Sequence, residues 1–416
     1  MIIMSNINNT ILKNRYLLCL LVTLTIYTGC SKKGYDREPL STDATIPQQV
    51  SDISVVNGKG FAVLSYTVPA DQSLLYVKAS YKLGNGSIKE VKASYYENQL
   101  VLDGFADTLA HEVKIYSVNR AEKTSEPVII TVKPLTNPIW DVYQSLSVTP
   151  DFSGIAISAL NDAKADVAIQ LLTKKSGSWN LYSGIYTKSD TIKTTIRGFD
   201  TIPVEVAVTV RDRFLNTTDT IFKTISPLYE ALLDKSLFRS VNLPGEPTYN
   251  FYNQNSRGIT ALWDGIISGS SWPWVVWTNS NSIAPQHVTF DIGRLTKLSR
   301  MAIYEYSENP SSGSSLRNYY YGGNLRQFEV WGSDNPAPDG SFTNWDLLGT
   351  YEVKKPSGLP YGTLSNEDHQ AAAAGFNCSF TSGDKRYRYL RIKCNRNWVG
   401  TTYMTLVEAV VYGDPR

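Results

Sequence analysis

Apolar and polar residues alternate every second position through short runs that fill most of this chain. Between residues 47 and 134 no segment sustains the 3.6-residue period of an amphipathic helix. From residue 47 to 134 the alternation predicts strands at 60–66, 74–83, 88–94, 99–102, 111–119 and 127–133. Turn signals such as Pro69-Ala70-Asp71 and Gly84-Asn85-Gly86-Ser87 separate them. The pattern restarts after Thr136-Asn137-Pro138, with strands at 143–149, 154–159, 166–173, 179–187, 191–197, 204–211 and 218–225. Residues 229–247 carry a short helical pattern and end in Pro244-Gly245-Glu246-Pro247, which reads as a linker. Over 248–416 strands are expected at 287–293, 298–306, 327–332, 346–353, 376–380, 387–394 and 404–412. The fold class is therefore all-β.

Composition agrees: 26 tyrosines against 4 methionines, with only 19% charged residues, suits a folded β protein. The first 29 residues stand apart from the fold. Lys13 and Arg15 precede an apolar run over 16–27, too short to span a bilayer, and Thr28-Gly29 follows before Cys30. This reads as a signal peptide over 1–29, with residues 30–46 a polar tether. The arrangement resembles a bacterial lipoprotein signal, which would leave Cys30 as the lipidated first residue; plain secretion is the alternative. Cleavage would leave 40 − 2 = 38 basic against 38 acidic residues, so nucleic acid is not expected as a partner. Cys378 and Cys394 sit at inward positions and read as two buried thiols or one structural disulfide.

The strand number and spacing of 47–134 and 135–228 are those of immunoglobulin or fibronectin III-like sandwiches. The last domain carries Leu262-Trp-Asp-Gly265, Val288-Thr-Phe-Asp-Ile-Gly293, Phe328-Glu-Val-Trp-Gly-Ser333, Trp345, Tyr389-Leu-Arg-Ile392 and Leu406-Val-Glu408 before Tyr412-Gly413. In that order these motifs resemble the discoidin, or coagulation-factor type C, family of jelly-roll domains. With the insertion Lys355-Pro-Ser-Gly-Leu-Pro360 and Asn366-Glu-Asp368, the domain looks like the discoidin-like end of Bacteroidetes lipoproteins found beside polysaccharide-utilisation transporters. The resemblance implies a lipid-anchored protein of the outer membrane, facing the cell surface and working with outer-membrane glycan-transport proteins. It also implies a structural calcium held by Asp264 and Glu408 with carbonyls of the 261–271 loop. Here that loop continues Ile266-Ile267-Ser268, without the acidic or amide residue usual in the family.

Polysaccharide or oligosaccharide is the expected ligand, because sugar C–H faces lie well on electron-rich rings. The candidates are Trp272, Trp274, Tyr320, Arg396 and Trp398, all between expected strands. Trp277, Trp263, Trp331 and Trp345 read as core. No nucleophile elbow, zinc motif or Cys/His pair is present, and enzyme activity is not expected. Glu305, Glu308, Glu367 and Asp368 are the acids that could form a glycosidase-like pair. A structural or adhesion role, with the last domain holding a protein of the transport complex or a host surface, is the competing function. Four Asp-Thr-apolar triplets, at 107, 190, 200 and 219, match an O-glycosylation pattern as well as ordinary turn chemistry.

Overall fold

A strand with apolar residues at every second position has one face to bury, and this chain meets that demand with paired sheets three times over. The computed structural model describes residues 42, 45–251, 254–267, 275–281, 284–307, 318–380 and 383–416. The expectations at Cys30, Trp272, Trp274 and Glu308 lie outside them. The described residues fall into two compact units, one within 1–140 and 212–217, the other within 141–211 and 218–416.

The first unit holds β1 (Ser51–Gly58), β2 (Phe61–Thr67), β3 (Leu74–Lys82), β4 (Ile88–Ser94), β5 (Gln99–Asp103), β6 (His111–Asn119) and β7 (Val128–Val132). They form the sheets β1-β2-β5 and β4-β3-β6-β7. Leu64, Val77, Phe105, Val113 and Ile115 meet between them.

Pro138–Gln144 is a helix, α1, where a strand was expected from residue 143. Local chemistry explains the correction. Asn137 Oδ1 accepts the Ile139 N–H at 3.1 Å, and Pro138 occupies the first helical position, where its missing N–H costs nothing. The second sandwich then comprises β8 (Ser147–Asp151), β9 (Gly154–Leu160), β10 (Val167–Lys175), β11 (Ser178–Thr187), β12 (Thr191–Arg197), β13 (Val204–Asp212) and β14 (Ile221–Ile225). Its sheets are β12-β9-β8 and β11-β10-β13-β14. In both modules the first, second and fifth strands share one sheet and the other four share the second, so the repeat is one of topology.

The last domain contains β15 (Ala231–Leu232), β16 (Arg239–Ser240), β17 (Val276–Trp277), β18 (Gln286–Glu305), β19 (Leu325–Ser333), β20 (Asp346–Glu352), β21 (Phe376–Ser379), β22 (Tyr387–Asn397) and β23 (Thr405–Asp414). Along the main path the order is β15-β23-β18-β22-β19-β20. The two strands expected at 287–293 and 298–306 are one bent strand. Its first half pairs with β22 and its second with β23 and β21, so β18 passes from one sheet of the jelly roll to the other. Gly293 makes the corner: its φ is 85°, and a Cβ there would lie 2.8 Å from the Leu237 carbonyl oxygen.

The expected linker over 229–247 is also corrected, because it is built into this domain. β15 pairs with β23 and β16 with β18. Glu246 accepts the Thr289 N–H at 3.1 Å. Beside it Arg391, fully buried, donates to Thr289 Oγ1 at 2.8 Å and to the Gly340 carbonyl at 3.1 Å, under the rings of Trp345 and Phe342. Burial pushes the Glu246 carboxyl up to about 7. The second helix, α2 (Asn366–Ala373), is closed by a capping box between Ser365 and Asp368. Cys378 and Cys394 are two buried free thiols. No helix among the described residues is long and apolar enough to cross a membrane.

Candidate functional site

At one end of the jelly roll the segments before β19 and β23 meet β17 and the end of β18. Asn324, almost fully buried, fastens them. Its amide donates to the Tyr306 carbonyl at 2.8 Å, and its oxygen accepts from the Tyr306 N–H at 3.2 Å and Thr405 Oγ1 at 2.8 Å. Tyr320 and Gly322 both have left-handed backbone, with φ of 53° and 54°, which turns the chain sharply and presents Tyr321. At Gly323 a Cβ would sit 2.5 Å from the Tyr403 ring, so only glycine admits that ring.

The result is a small aromatic pocket of about 190 Å³ lined by Trp277, Tyr306, Tyr321, Gly322, Gly323, Tyr403 and Thr405. Tyr321 stacks on Tyr361, with centroids 4.9 Å apart and planes 16° from parallel. The Gly322 N–H donates to Tyr361 Oη at 3.3 Å. Space on this scale suits a single ring rather than the ~300–1,000 Å³ of ordinary ligand clefts.

Of the expected ligand residues, Tyr320 is corrected. It is only 3% exposed, and its hydroxyl donates to the Asp368 carbonyl at 3.3 Å. Trp398 is half-buried; its indole N–H donates to the Leu325 carbonyl at 3.2 Å and its ring meets Tyr320 edge-on at 5.4 Å. Both pack over Glu305, whose Oε2 accepts the Tyr320 N–H at 3.3 Å while Oε1 has no hydrogen-bond partner. Burial pushes the Glu305 carboxyl up to about 8, against the Tyr320 N–H and the Trp398 indole. Arg396 is exposed opposite Gln327 of β19, away from the pocket lining. Trp277, expected in the core, instead forms a half-buried pocket wall, whereas Trp345 is buried and Trp263 packs on Phe238 and Phe290 as expected. Sequence reasoning missed Tyr361 and Tyr403, each isolated among turn residues; an aromatic set in a Gly/Thr-rich loop was the available signal.

Among the described acids, two are already committed. Asp368 spends both oxygens on Ser357 and Ser365, which hold it down to about 2 despite desolvation, and Glu305 is sealed in the interior.

Among the described residues the donors at Asp264 and Glu408 do not fit a calcium ion as arranged, and residues 268–271 of the expected loop lie outside them. Glu408, fully buried, receives the Lys235 ammonium on Oε1 and the Gly265 N–H on Oε2 at 2.9 Å. Asp264 Oδ1 accepts the Ile266 N–H at 2.9 Å, leaving Oδ2 buried without a hydrogen-bond partner. Calcium needs six to eight oxygens, and here a protein cation already stands against the deeper carboxylate.

Three family models match the chain, each a domain of unknown function: DUF4959 over residues 47–134, DUF5126 over 135–236 and DUF5000 over 263–413. Among solved structures the chain is similar to the SusE-like protein BT2857, at 29% identity and a TM-score of 0.44, covering 67% of this chain and 100% of that one. It is similar to the C-terminal domain of a chitobiase from Bacteroides fragilis, at 16% identity and a TM-score of 0.29, covering 44% of this chain and 97% of that one. It is also similar to the family 32 carbohydrate-binding module of C. perfringens NanJ, solved with galactose, at 14% identity and a TM-score of 0.29, covering 44% of this chain and 98% of that one. No curated protein matches the chain.

Proposed function

We propose that this chain is a non-catalytic carbohydrate-binding protein, lipid-anchored through Cys30 at a Bacteroidetes outer-membrane surface, which holds glycan for neighbouring transport proteins. One observation carries the binding part: Trp277, Tyr321, Tyr361 and Tyr403 gather at one open end of the jelly roll, around backbone that two glycines keep bare. Rings supply faces for sugar C–H groups, and Thr405 with the Tyr403 and Tyr361 hydroxyls supplies polar edges. The motif order of the last domain supports the setting beside a polysaccharide-uptake system. Titration of the purified chain with a panel of polysaccharides tests the reading. Binding is expected to weaken at least about tenfold, or ~1.4 kcal/mol, in Trp277→Ala and in Tyr321→Ala. No binding by any glycan sinks the reading.

A second reading, attachment to a protein partner, is favoured by an exposed apolar face on the second sandwich. Trp179, Leu181 and Tyr186 of the edge strand β11 lie exposed with Phe222 of β14, and the Trp179 and Phe222 rings are 5.3 Å apart. A protein partner captured from detergent-solubilised membranes, and lost in Phe222→Asp, is its expected signature.

A further inference from the structure

Strand alternation turns one face of the β12-β9-β8 sheet away from the core of the second sandwich, and that face forms a trough. The register sets Lys193, Ser158 and Ser147 in one row, Thr195, Ala156 and Thr149 in the next, and Arg197, Gly154 and Asp151 in the third. The middle strand thus lays a floor of small side chains between longer ones. Gly154 is confined to that size, since a Cβ would lie 2.5 Å from the Ile196 carbonyl oxygen. Arg300 of β18 with Asn377, Ser379 and Phe380 forms the remaining wall, and the whole encloses a cleft of about 720 Å³. All of these residues belong to one compact unit.

The charges in this cleft are unequal. Arg197 and Arg300 share a single buried carboxylate, Glu230: Arg197 Nη1 donates to Oε1 at 3.1 Å, and Arg300 donates to both oxygens at 3.3 Å. Asp151 is engaged by the Thr195 hydroxyl. Lys193 is exposed and has no hydrogen bond or ion pair among the described residues. Three cations therefore face two carboxylates. Burial lowers the pKa of Arg197 and outweighs Glu230, which raises it; Arg300 lowers it further and Asp151 raises it. Around this charge stand the hydroxyls of Thr149, Ser158 and Ser379 and the amide of Asn377.

We propose that this cleft is a second glycan subsite, selective for oligosaccharides that carry carboxylate or sulfate groups, with Lys193 and Arg197 taking the anion and the hydroxyl-bearing walls the sugar ring. The inference rests on the reading that the protein binds glycans, and it adds a ligand class and a second location. The volume falls within the ~300–1,000 Å³ of ordinary ligand clefts, unlike the one-ring pocket of the jelly roll.

Calorimetry on the purified full chain tests it with three probes: an oligogalacturonate, a sulfated galacto-oligosaccharide and a neutral galacto-oligosaccharide. At least one anionic probe is expected to bind more tightly than the neutral one, and to weaken severalfold when salt is raised to about 0.5 M. Lys193→Glu, an exposed change, is expected to weaken the anionic probe about tenfold and leave the neutral probe unchanged. Ala156→Leu, which fills the trough floor, is expected to do the same. Which anionic probe binds separates carboxylate from sulfate. The proposal is overturned if neither anionic probe outbinds the neutral one, or if Lys193→Glu leaves anionic affinity intact. Trp277→Ala keeps the two sites apart: its failure to weaken the neutral probe counts against the jelly-roll pocket, while anionic binding that survives it and falls in Lys193→Glu supports the cleft.

Discussion

Glu305→Gln is expected to stabilise the last domain, increasingly so as pH rises. Glu305 is buried beneath Tyr320 and Trp398 and keeps one oxygen without a partner. Its carboxyl is pushed from 4.5 up to about 8 by desolvation. Below about pH 4.5 the folded and unfolded chains both carry the proton, and the group contributes no pH dependence. Between 4.5 and 8 the unfolded chain releases a proton that the fold retains, so stability falls as pH rises. The shift of about 3.5 units corresponds to a loss on the order of 5 kcal/mol across that window, and about 3 kcal/mol of it has accrued by pH 7. Glutamine has the same shape, accepts the Tyr320 N–H and does not titrate. The advantage of the variant over the parent chain should therefore grow by about 3 kcal/mol from pH 4.5 to 7. Urea unfolding followed by tryptophan fluorescence reads this directly, because seven of the nine tryptophans lie beyond residue 248. A stability difference that stays constant with pH, or a variant that is weaker at pH 7, refutes the reasoning.

Lys235→Ala removes the cation from the fully buried Glu408 and should cost about 3 kcal/mol, the low end for a broken buried pair because Lys235 is 25% exposed; the loss should shrink at acid pH, where Glu408 takes up a proton. Chelator should leave the melting temperature of the parent chain unchanged, and a rise of several degrees in millimolar calcium would falsify Lys235 as the resident cation. Arg391→Ala should destabilise the last domain by about 3–5 kcal/mol, since Glu246, the carbonyls of Gly340 and Ser341 and the Trp345 ring all lose their partner. Burial pushes the Cys378 thiol well up and the Cys394 thiol up to about 12, so alkylation at pH 8 should modify both only after denaturation; a non-reducible mass shift in the native chain argues against their burial.

Period-2 alternation by itself determined the all-β class and most strand positions, because a half-buried strand writes its two faces into adjacent residues; the jelly roll of the last domain was implied only by the resemblance of its motifs. Nothing in the single strand β9 shows which rows its neighbours complete. Pairing decided that, by setting Lys193 and Thr149 to either side of Ser158 and Ala156. Likewise Tyr320 reads as a ligand-facing loop aromatic, but the left-handed turn there sends its ring inward and leaves Tyr321 on the pocket. Trp277 looked like core, Tyr361 and Tyr403 like nothing in particular, and they meet only because loops distant in sequence close at one end of the jelly roll. Asp264 and Glu408 carried the motif of a metal pair. The cation that stands against Glu408 comes from Lys235, in a segment that looked like a linker until β15 and β16 were seen to pair with β23 and β18. Local patterns specify which residues face inward; which charges and rings then meet is settled by contacts far apart along the chain, and those carry no signature in a single sequence.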